Sequence, residues 1–465
     1  MLQAYDFIYR FIQKGLEEVL DLSYNKSIKG YLTEVDMKIS FYTLGCKVNQ
    51  YETQAMSEQL KNAGHEIVSN NENADIFIIN SCTVTAGADQ KTRQTVRKFK
   101  RNNPDSIVIL TGCMPQAYPE DAKKLIEADI VIGNRNNFSV TDLIEDFRTY
   151  GKRIFNVIAH KTGDEYVNTN ISTFDERTRA NIKIQDGCNR FCTYCIIPTS
   201  RGRVRSKPLD ELKTELEQIA RSGYCEVVLV GINLSSYGQD IGATFPDAVK
   251  LACNTEGIER VRLGSLEPDH LTEDVIARLA RLPKLCPQFH ISLQSGCNKT
   301  LKDMHRHYTA EEYRELCNNL RNSFDDCTLT TDVMVGFPME TEEDFNESLE
   351  FVKSIAFEKV HVFPYSLRPG TKAATFSPQI EKRVKEQRAH TMIKETEAIR
   401  RDFLLSQIGK EVDVLFESTT KDGYINGYTK NYTPVKAKSD KDLCNEIHRV
   451  KITSVSDDFC IGELI

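Results

Sequence analysis

Residues 186–206 read DGCNRFCTYCIIPTSRGRVRS, and three cysteines within them, Cys188, Cys192 and Cys195, decide how the rest of the chain is read. A C-x3-C-x2-C loop supplies three thiolates from one short stretch, whereas a closed iron–sulfur cluster takes four protein sulfurs. Three ligands on a four-iron cube leave one iron open to a small molecule. Zinc is the competing metal, but it takes four N or S ligands as paired C-x2-C or with a nearby histidine. The closest histidine, His160, lies outside the loop. Three buried structural thiols are the remaining reading.

Outward from this loop, apolar runs and helical stretches alternate. From about 178 to 375 the strand candidates are NIKIQ, CEVVLVG, RVRLGSL, FHISLQ, LTTDVMVG and KVHVFPY, with helical patterns over 209–222, 272–282, 310–322 and 342–355 between them. Six such units predict an incomplete or full parallel barrel, with the cysteine loop after its first strand. Sites in such barrels gather at the carboxyl ends of the strands. Upstream, from Met37 to about 165, KISFYT, HEIV, DIFIIN, IVILTG and ADIVIG alternate with helices over 50–63 and 119–127. That pattern predicts a doubly wound parallel sheet covered on both faces. Cys46, Cys82 and Cys113 each stand just past one of these strands, on the edge where open α/β sheets bind ligands. They can converge on one rim as a second three-thiolate site; three unrelated buried cysteines are the alternative. Downstream, a charged helical stretch over 379–407 leads to residues 408–465, whose short strands and turns predict a small all-β barrel or sandwich.

The chain of 465 residues is long enough for two to four domains. Its fourteen cysteines are spread along it with no secretory signal, which favours thiols kept for metal in a reducing cytoplasm over a disulfide scaffold. No apolar run is long enough to span a bilayer. With a net charge of −7, any nucleic acid must be held by local basic surfaces. Two such runs stand out. KTRQTVRKFKR carries Arg93, Arg97 and Arg101 in i,i+4 register beside Lys98, and SRGRVRSK carries Arg201, Arg203 and Arg205. Both suit phosphate contacts that position an RNA without reading it; a solvated charged face is the alternative. Residues 1–36 are loosely amphipathic, with Ile8, Ile12, Leu16, Val19 and Leu20 at helical spacing, and are expected to be a peripheral extension or a start-site artefact.

TLGCKVNQYET, NSCTVT, TGCMPQ, the 186–206 stretch, SLEPDH, LQSG, MVGFPMET and HVFPYSLRPGT follow one another in this order. Together they resemble the methylthiotransferases, radical S-adenosylmethionine (SAM) enzymes that attach CH3–S to an unactivated C–H, over about residues 37–465. TLGCKVNQYET with SCTVT is most similar to the branch acting on N6-threonylcarbamoyladenosine at tRNA position 37, next to the anticodon. The resemblance implies two [4Fe-4S] clusters, one on Cys46, Cys82 and Cys113 and one on Cys188, Cys192 and Cys195, with SAM at the second. It implies that the first cluster carries a sulfur that one SAM methylates. A second SAM yields the radical that takes the adenine C2 hydrogen.

The same resemblance implies an amino-terminal cluster domain over 37–165, a radical SAM barrel over 178–400, and a TRAM-like RNA-binding barrel over 403–465. Positions matching family SAM contacts are Gly231, Asn233, Ser265, Glu267, Gln294 and Gly336, with a structural turn group as the alternative at each. Met339, Ser235 and Gly264 depart from the usual wording, and Met339 stands where glycine is usual. Implied partners are a tRNA anticodon stem-loop, a low-potential electron donor and a sulfur donor, acting on a cytoplasmic monomer. The relatives that modify isopentenyladenosine in tRNA or an aspartate of a ribosomal protein share both clusters. A non-enzymatic iron–sulfur RNA-binding protein is the rival of another class.

Overall fold

The computed structural model describes residues 36–69, 73–169, 171–172, 178–420 and 423–465; the extension expected over 1–36 lies outside them apart from Asp36. The first unit is a six-stranded sheet of β1 (Lys38–Thr43), β2 (Glu66–Val68), β3 (Ile76–Ser81), β4 (Ile107–Gly112), β5 (Ile130–Ile132) and β6 (Ile154–Asn156). The strands pair in the order 2-1-3-4-5-6, all in parallel. β3 is buried along its whole length because helices cover both faces, which is why its sequence is a continuous apolar run. On one face Met56 and Leu60 of α1 (Lys47–Asn62) pack on Ile39, Ile78 and Ile109. On the other, Val96 of α2 (Ala86–Asn102) packs on Phe77, Val108 and Leu110. The sequence did not announce β6, a three-residue edge strand without a buried apolar run.

The second unit runs through β7 (Arg179–Lys183), then a two-residue antiparallel clamp of β8 (Gln185–Asp186) and β9 (Arg205–Ser206) at the base of the cysteine loop. It continues through β10 (Glu226–Val230), β11 (Arg260–Leu263), β12 (Gln288–His290), β13 (Thr328–Val335) and β14 (Lys359–Pro364). β7, β10 and β11 form one parallel sheet and β12, β13 and β14 another. Parallel bridges Val261–Leu285 and Leu266–Ile291 join the two. Among the described residues β14 does not pair with β7, so the barrel is incomplete.

The helix α3 (Lys382–Leu405) leads to β15 (Glu411–Thr419), β16 (Tyr424–Thr429), β17 (Pro434–Lys438), β18 (Ile447–Ser456) and β19 (Phe459–Leu464). These close into a barrel in the order 15-16-17-19-18 around Val414, Phe416, Ile425, Val435 and Val450. This small barrel is docked on the amino ends of β7, β10 and β11. Arg260 donates to the Asp413 carbonyl (3.0 Å), Arg262 to that of Lys430 (3.2 Å), and Arg179 stacks 5.0 Å from both Tyr428 and Tyr432. Glu226 balances these cations through Arg262 at 2.9 Å. The carboxyl ends of the barrel strands are left for chemistry.

Candidate active site

The sheet order explains how three cysteines far apart in sequence meet. β1, β3 and β4 are neighbours, spaced by about 4.8 Å per strand. Chain order reverses between β1 and β3, the crevice where open α/β sheets take ligands. Cys46 caps α1 just past β1, Cys82 follows β3, and Cys113 opens the short helix after β4. Asn49 ties two of these loops together by donating to the Leu44 carbonyl (2.8 Å) and the Ser81 carbonyl (3.0 Å). Glycine makes the approach possible. Gly45 has φ +111°, and a Cβ there would stand 3.3 Å from Cys82 Sγ; at Gly112, φ +96°, it would fall 2.5 Å from the Ser81 backbone. The same device precedes the barrel triad, where a Cβ on Gly187 would fall 1.9 Å from the Arg203 carbonyl. Gly-Cys thus precedes three of the six thiols, a signal present in LGC, TGC and DGC that sequence reasoning missed.

The barrel triad is held by its own loop. The Cys188 amide donates to the Gly202 carbonyl and that of Cys195 to Cys192, each at 3.0 Å. Asn233 Nδ2 lies 3.7 Å from Cys188 Sγ, and Arg306 Nη1 lies 3.5 Å from Cys192 Sγ. Arg306 also pairs with Glu267 at 2.5 Å and donates to the Ser292 carbonyl at 3.1 Å. Nothing in the sequence marked Arg306 out within MHRHYT. Burial pushes the thiols of Cys188 and Cys195 up, and the neighbouring thiols add to the effect. Burial likewise pushes Cys113 up to about 12, against the pull of Arg201.

The donor sets fit cubes better than single ions. Each triad is all sulfur, and soft thiolates select iron–sulfur clusters or zinc. Among the described residues no three His, Cys, Asp or Glu side chains close in tightly enough to hold one metal ion. His160 bonds to Asn134 (3.0 Å), not to a thiol. N–H donors aimed at sulfur, from Arg201, Arg306 and Asn233, suit a cluster whose electron-rich sulfurs accept hydrogen bonds.

A buried polar junction joins the two triads. Arg201, 1% exposed, reaches from the loop after Cys195 into the first unit: Nε donates to Cys113 Sγ (3.2 Å), Nη2 to Asn49 Oδ1 (2.6 Å) and both Nη atoms to Glu52. Lys183 of β7 joins Glu52 to Asp186, at 2.9 Å from each. Burial pushes the Asp186 carboxyl up, but Lys183, Arg201 and Arg205 outweigh it and hold it far below the usual range. This corrects an expectation. Arg201 and Arg205 are both buried, and Arg205 donates to the carbonyls of Arg201 and Arg203. Neither offers its guanidinium to a phosphate. Arg203, by contrast, is exposed and lies 4.4 Å over the ring of Phe191, itself 45% exposed. In the other basic run Arg97 pairs with Glu127 (3.2 Å), Arg93 is half-buried and Lys98 is exposed.

The positions matched to SAM contacts divide. Gly231 and Ser265 line a cavity of about 640 Å³ together with Cys46 and Val48, so one space touches the first triad and the ends of β10 and β11. Asn233 and Glu267 flank the barrel triad as described. Gln294 sits at φ +69°, with its backbone bonded to Asp332 and Met334. Gly336 is a correction: its N–H goes to Glu340 (2.8 Å) and the Lys385 stem lies over its Cα, so it offers SAM no free amide. Met339 adopts φ +67°, the left-handed region that explains why glycine is usual there.

Residues 38–133 match the model of an uncharacterized protein family, UPF0004, and residues 182–352 that of the radical SAM superfamily. The chain is 36% identical to the threonylcarbamoyladenosine tRNA methylthiotransferase MtaB of Bacillus subtilis, over 92% of this chain and 96% of that one. With the protein of the same name from Aquifex aeolicus it shares 37%, over 88% and 98%. With the tRNA-2-methylthio-N(6)-dimethylallyladenosine synthase of Clostridium botulinum (strain Langeland) it shares 34%, over 91% and 96%. The chain belongs to the radical SAM methylthiotransferases. Its cofactors are those of that family, SAM and [4Fe-4S] clusters. The enzyme shares its fold with the radical SAM methyltransferase TsrM of Kitasatospora setae, solved with cobalamin and a [4Fe-4S] cluster (TM-score 0.54, 13% identity, 73% of this chain and 74% of that one).

Proposed function

We propose that the enzyme adds a methylthio group to C2 of N6-threonylcarbamoyladenosine at position 37 of tRNA. The observation that carries this reading is identity of 36–37% to proteins of that activity along nearly the whole chain. When bound, the cofactors supply an electron that cleaves the SAM sulfonium and an iron-held sulfur that accepts a methyl group. The chain's own contribution is position and dryness. Cys188, Cys192 and Cys195 hold one cluster and Cys46, Cys82 and Cys113 the other, on two sides of a junction made rigid by Arg201, Glu52, Lys183 and Asp186. Gly231 and Ser265 line the cavity that reaches Cys46, and Asn233 and Glu267 flank the barrel triad, so these four are the residues we assign to SAM. A reactive radical demands such close positioning and exclusion of water.

Arg203 with Phe191 is the RNA contact we assign beside the reactive base: a cation for phosphate and an aromatic face for stacking. The target adenosine leaves the anticodon-loop stack to reach the site. A low-potential reductant and a sulfur donor complete the partners. The units assigned are residues 37–165 for the amino-terminal cluster, 178–400 for the barrel, and 403–465 for a TRAM-like RNA-binding module. Because that module also packs on the amino end of the barrel, deleting it would strip Arg179, Arg260 and Arg262 of their contacts to it and leave Glu226 alone among them; surface substitutions test its RNA role more cleanly.

Substrate choice is tested by anaerobic reaction of the reconstituted enzyme with tRNA bearing either N6-threonylcarbamoyladenosine or N6-isopentenyladenosine, followed by nucleoside mass spectrometry. A gain of CH2S (about 46 mass units) on the first alone supports the proposal, and on the second alone overturns it.

A further inference from the structure

We propose that Arg201 is a positioning residue that raises the reduction potential of the amino-terminal cluster, with Glu52 opposing it. The inference rests on Cys46, Cys82 and Cys113 holding that cluster. Arg201 belongs to the loop of the barrel triad, yet its guanidinium ends at the other triad, with Nε 3.2 Å from Cys113 Sγ. Both Nη atoms reach Glu52, and because the guanidinium is a rigid plane the direction of Nε–H follows from how that plane is held. Here Asn49 accepts from Nη2 at 2.6 Å and fixes the plane of the fork, so that Nε faces sulfur.

Arg201 and Glu52 are each 1% exposed, and Cys113 is 4% exposed. Charges so placed act through a low local dielectric and are poorly screened. The cations packed here are Arg201, Lys183 and Arg205, and the anions are Glu52 and Asp186, so the junction carries one net positive charge beside the cluster. Iron–sulfur potentials respond to net charge, to hydrogen bonds at sulfur and to solvent exposure. The first two act here through one guanidinium, at the buried Cys113 corner of the triad. A positive charge and an N–H on a ligand sulfur both favour the electron-rich state.

The test uses the full chain with Cys188, Cys192 and Cys195 all changed to Ala, so that only the amino-terminal cluster assembles on anaerobic reconstitution. Its midpoint is read by redox titration monitored by electron paramagnetic resonance. Arg201→Gln in this background is expected to lower the midpoint by about 59 mV or more, a tenfold change in the reduced-to-oxidised ratio for one electron. Glu52→Gln is expected to raise it. A merely structural ion pair does not predict opposite signs. Midpoints unchanged, or moved in the same direction by both changes, would overturn the inference. If Arg201→Gln fails to fold because buried Glu52 keeps Lys183 as its one remaining cation, Glu52→Gln decides alone, and an unchanged or lowered midpoint overturns it. A parent chain that takes up no iron or sulfide refutes the ligand assignment, and the inference with it. That failure is told apart by the missing visible absorption.

Discussion

The two triads are assembled by opposite routes. Cys188, Cys192 and Cys195 lie within eight consecutive residues, and a loop clamped by β8 and β9 gathers them locally. Cys46, Cys82 and Cys113 span 68 residues and meet only because β1, β3 and β4 are neighbours in the sheet. A local site depends on a loop; a non-local site depends on strand order and on the packing of one whole unit against another. The barrel triad should therefore fail through its own loop, and the sheet triad through distant backbone.

The largest expected effect separates their chemistry. Cys192→Ala should reduce formation of 5′-deoxyadenosine to background. Cys82→Ala should keep SAM cleavage while losing the methylthio product, both read by chromatography of single reactions. If Cys82→Ala still gave full product, the two triads would not have different tasks.

Next come the glycines that let each triad form. Gly112→Ala drives a Cβ into the Ser81 backbone and imposes backbone strain of about 1–3 kcal/mol. It should cost one of the two clusters, seen as halved iron per chain, with SAM cleavage retained. Gly187→Ala should halve iron too, but with SAM cleavage lost. Equal catalytic loss from both would erase the distinction between a local and a non-local site.

A smaller effect tests the outer side of the barrel loop. Phe191→Ala is expected to weaken tRNA binding by about 1–3 kcal/mol, the usual worth of one stacked base. Arg203→Ala should lower the salt dependence of binding by about one unit of slope. Iron content and SAM cleavage without RNA should stay unchanged in both. Smallest is Met339→Gly: relief of the left-handed strain, about 1 kcal/mol, is partly offset by the greater freedom of glycine in the unfolded chain. A small rise in melting temperature is expected in a thermal scan.

How much was legible follows the same division. Periodicity exposed strands such as KISFYT and IVILTG because both faces of the sheet are buried, but not β6, where burial is slight. The C-x3-C-x2-C spacing was legible because ligand and loop are one object. Arg201 and Arg205 read as phosphate contacts because three arginines in SRGRVRSK look alike in sequence; packing buries two and exposes the middle one. Asn49 and Glu52 stand within the quoted TLGCKVNQYET, but nothing there marked their partner, which lies about 150 residues away.

The amino-acid sequence by itself determined the order of strands and helices, the local thiol trio, and the glycines that precede Cys46, Cys113 and Cys188. Tertiary structure decided that the scattered thiols share one rim, that the small β-barrel closes the amino end of the large one, and that Arg201 faces sulfur. The reason is physical: local hydrogen bonding and hydrophobic period are written in neighbouring residues. Which buried charge pairs with which is fixed only when two units pack and exclude water between them.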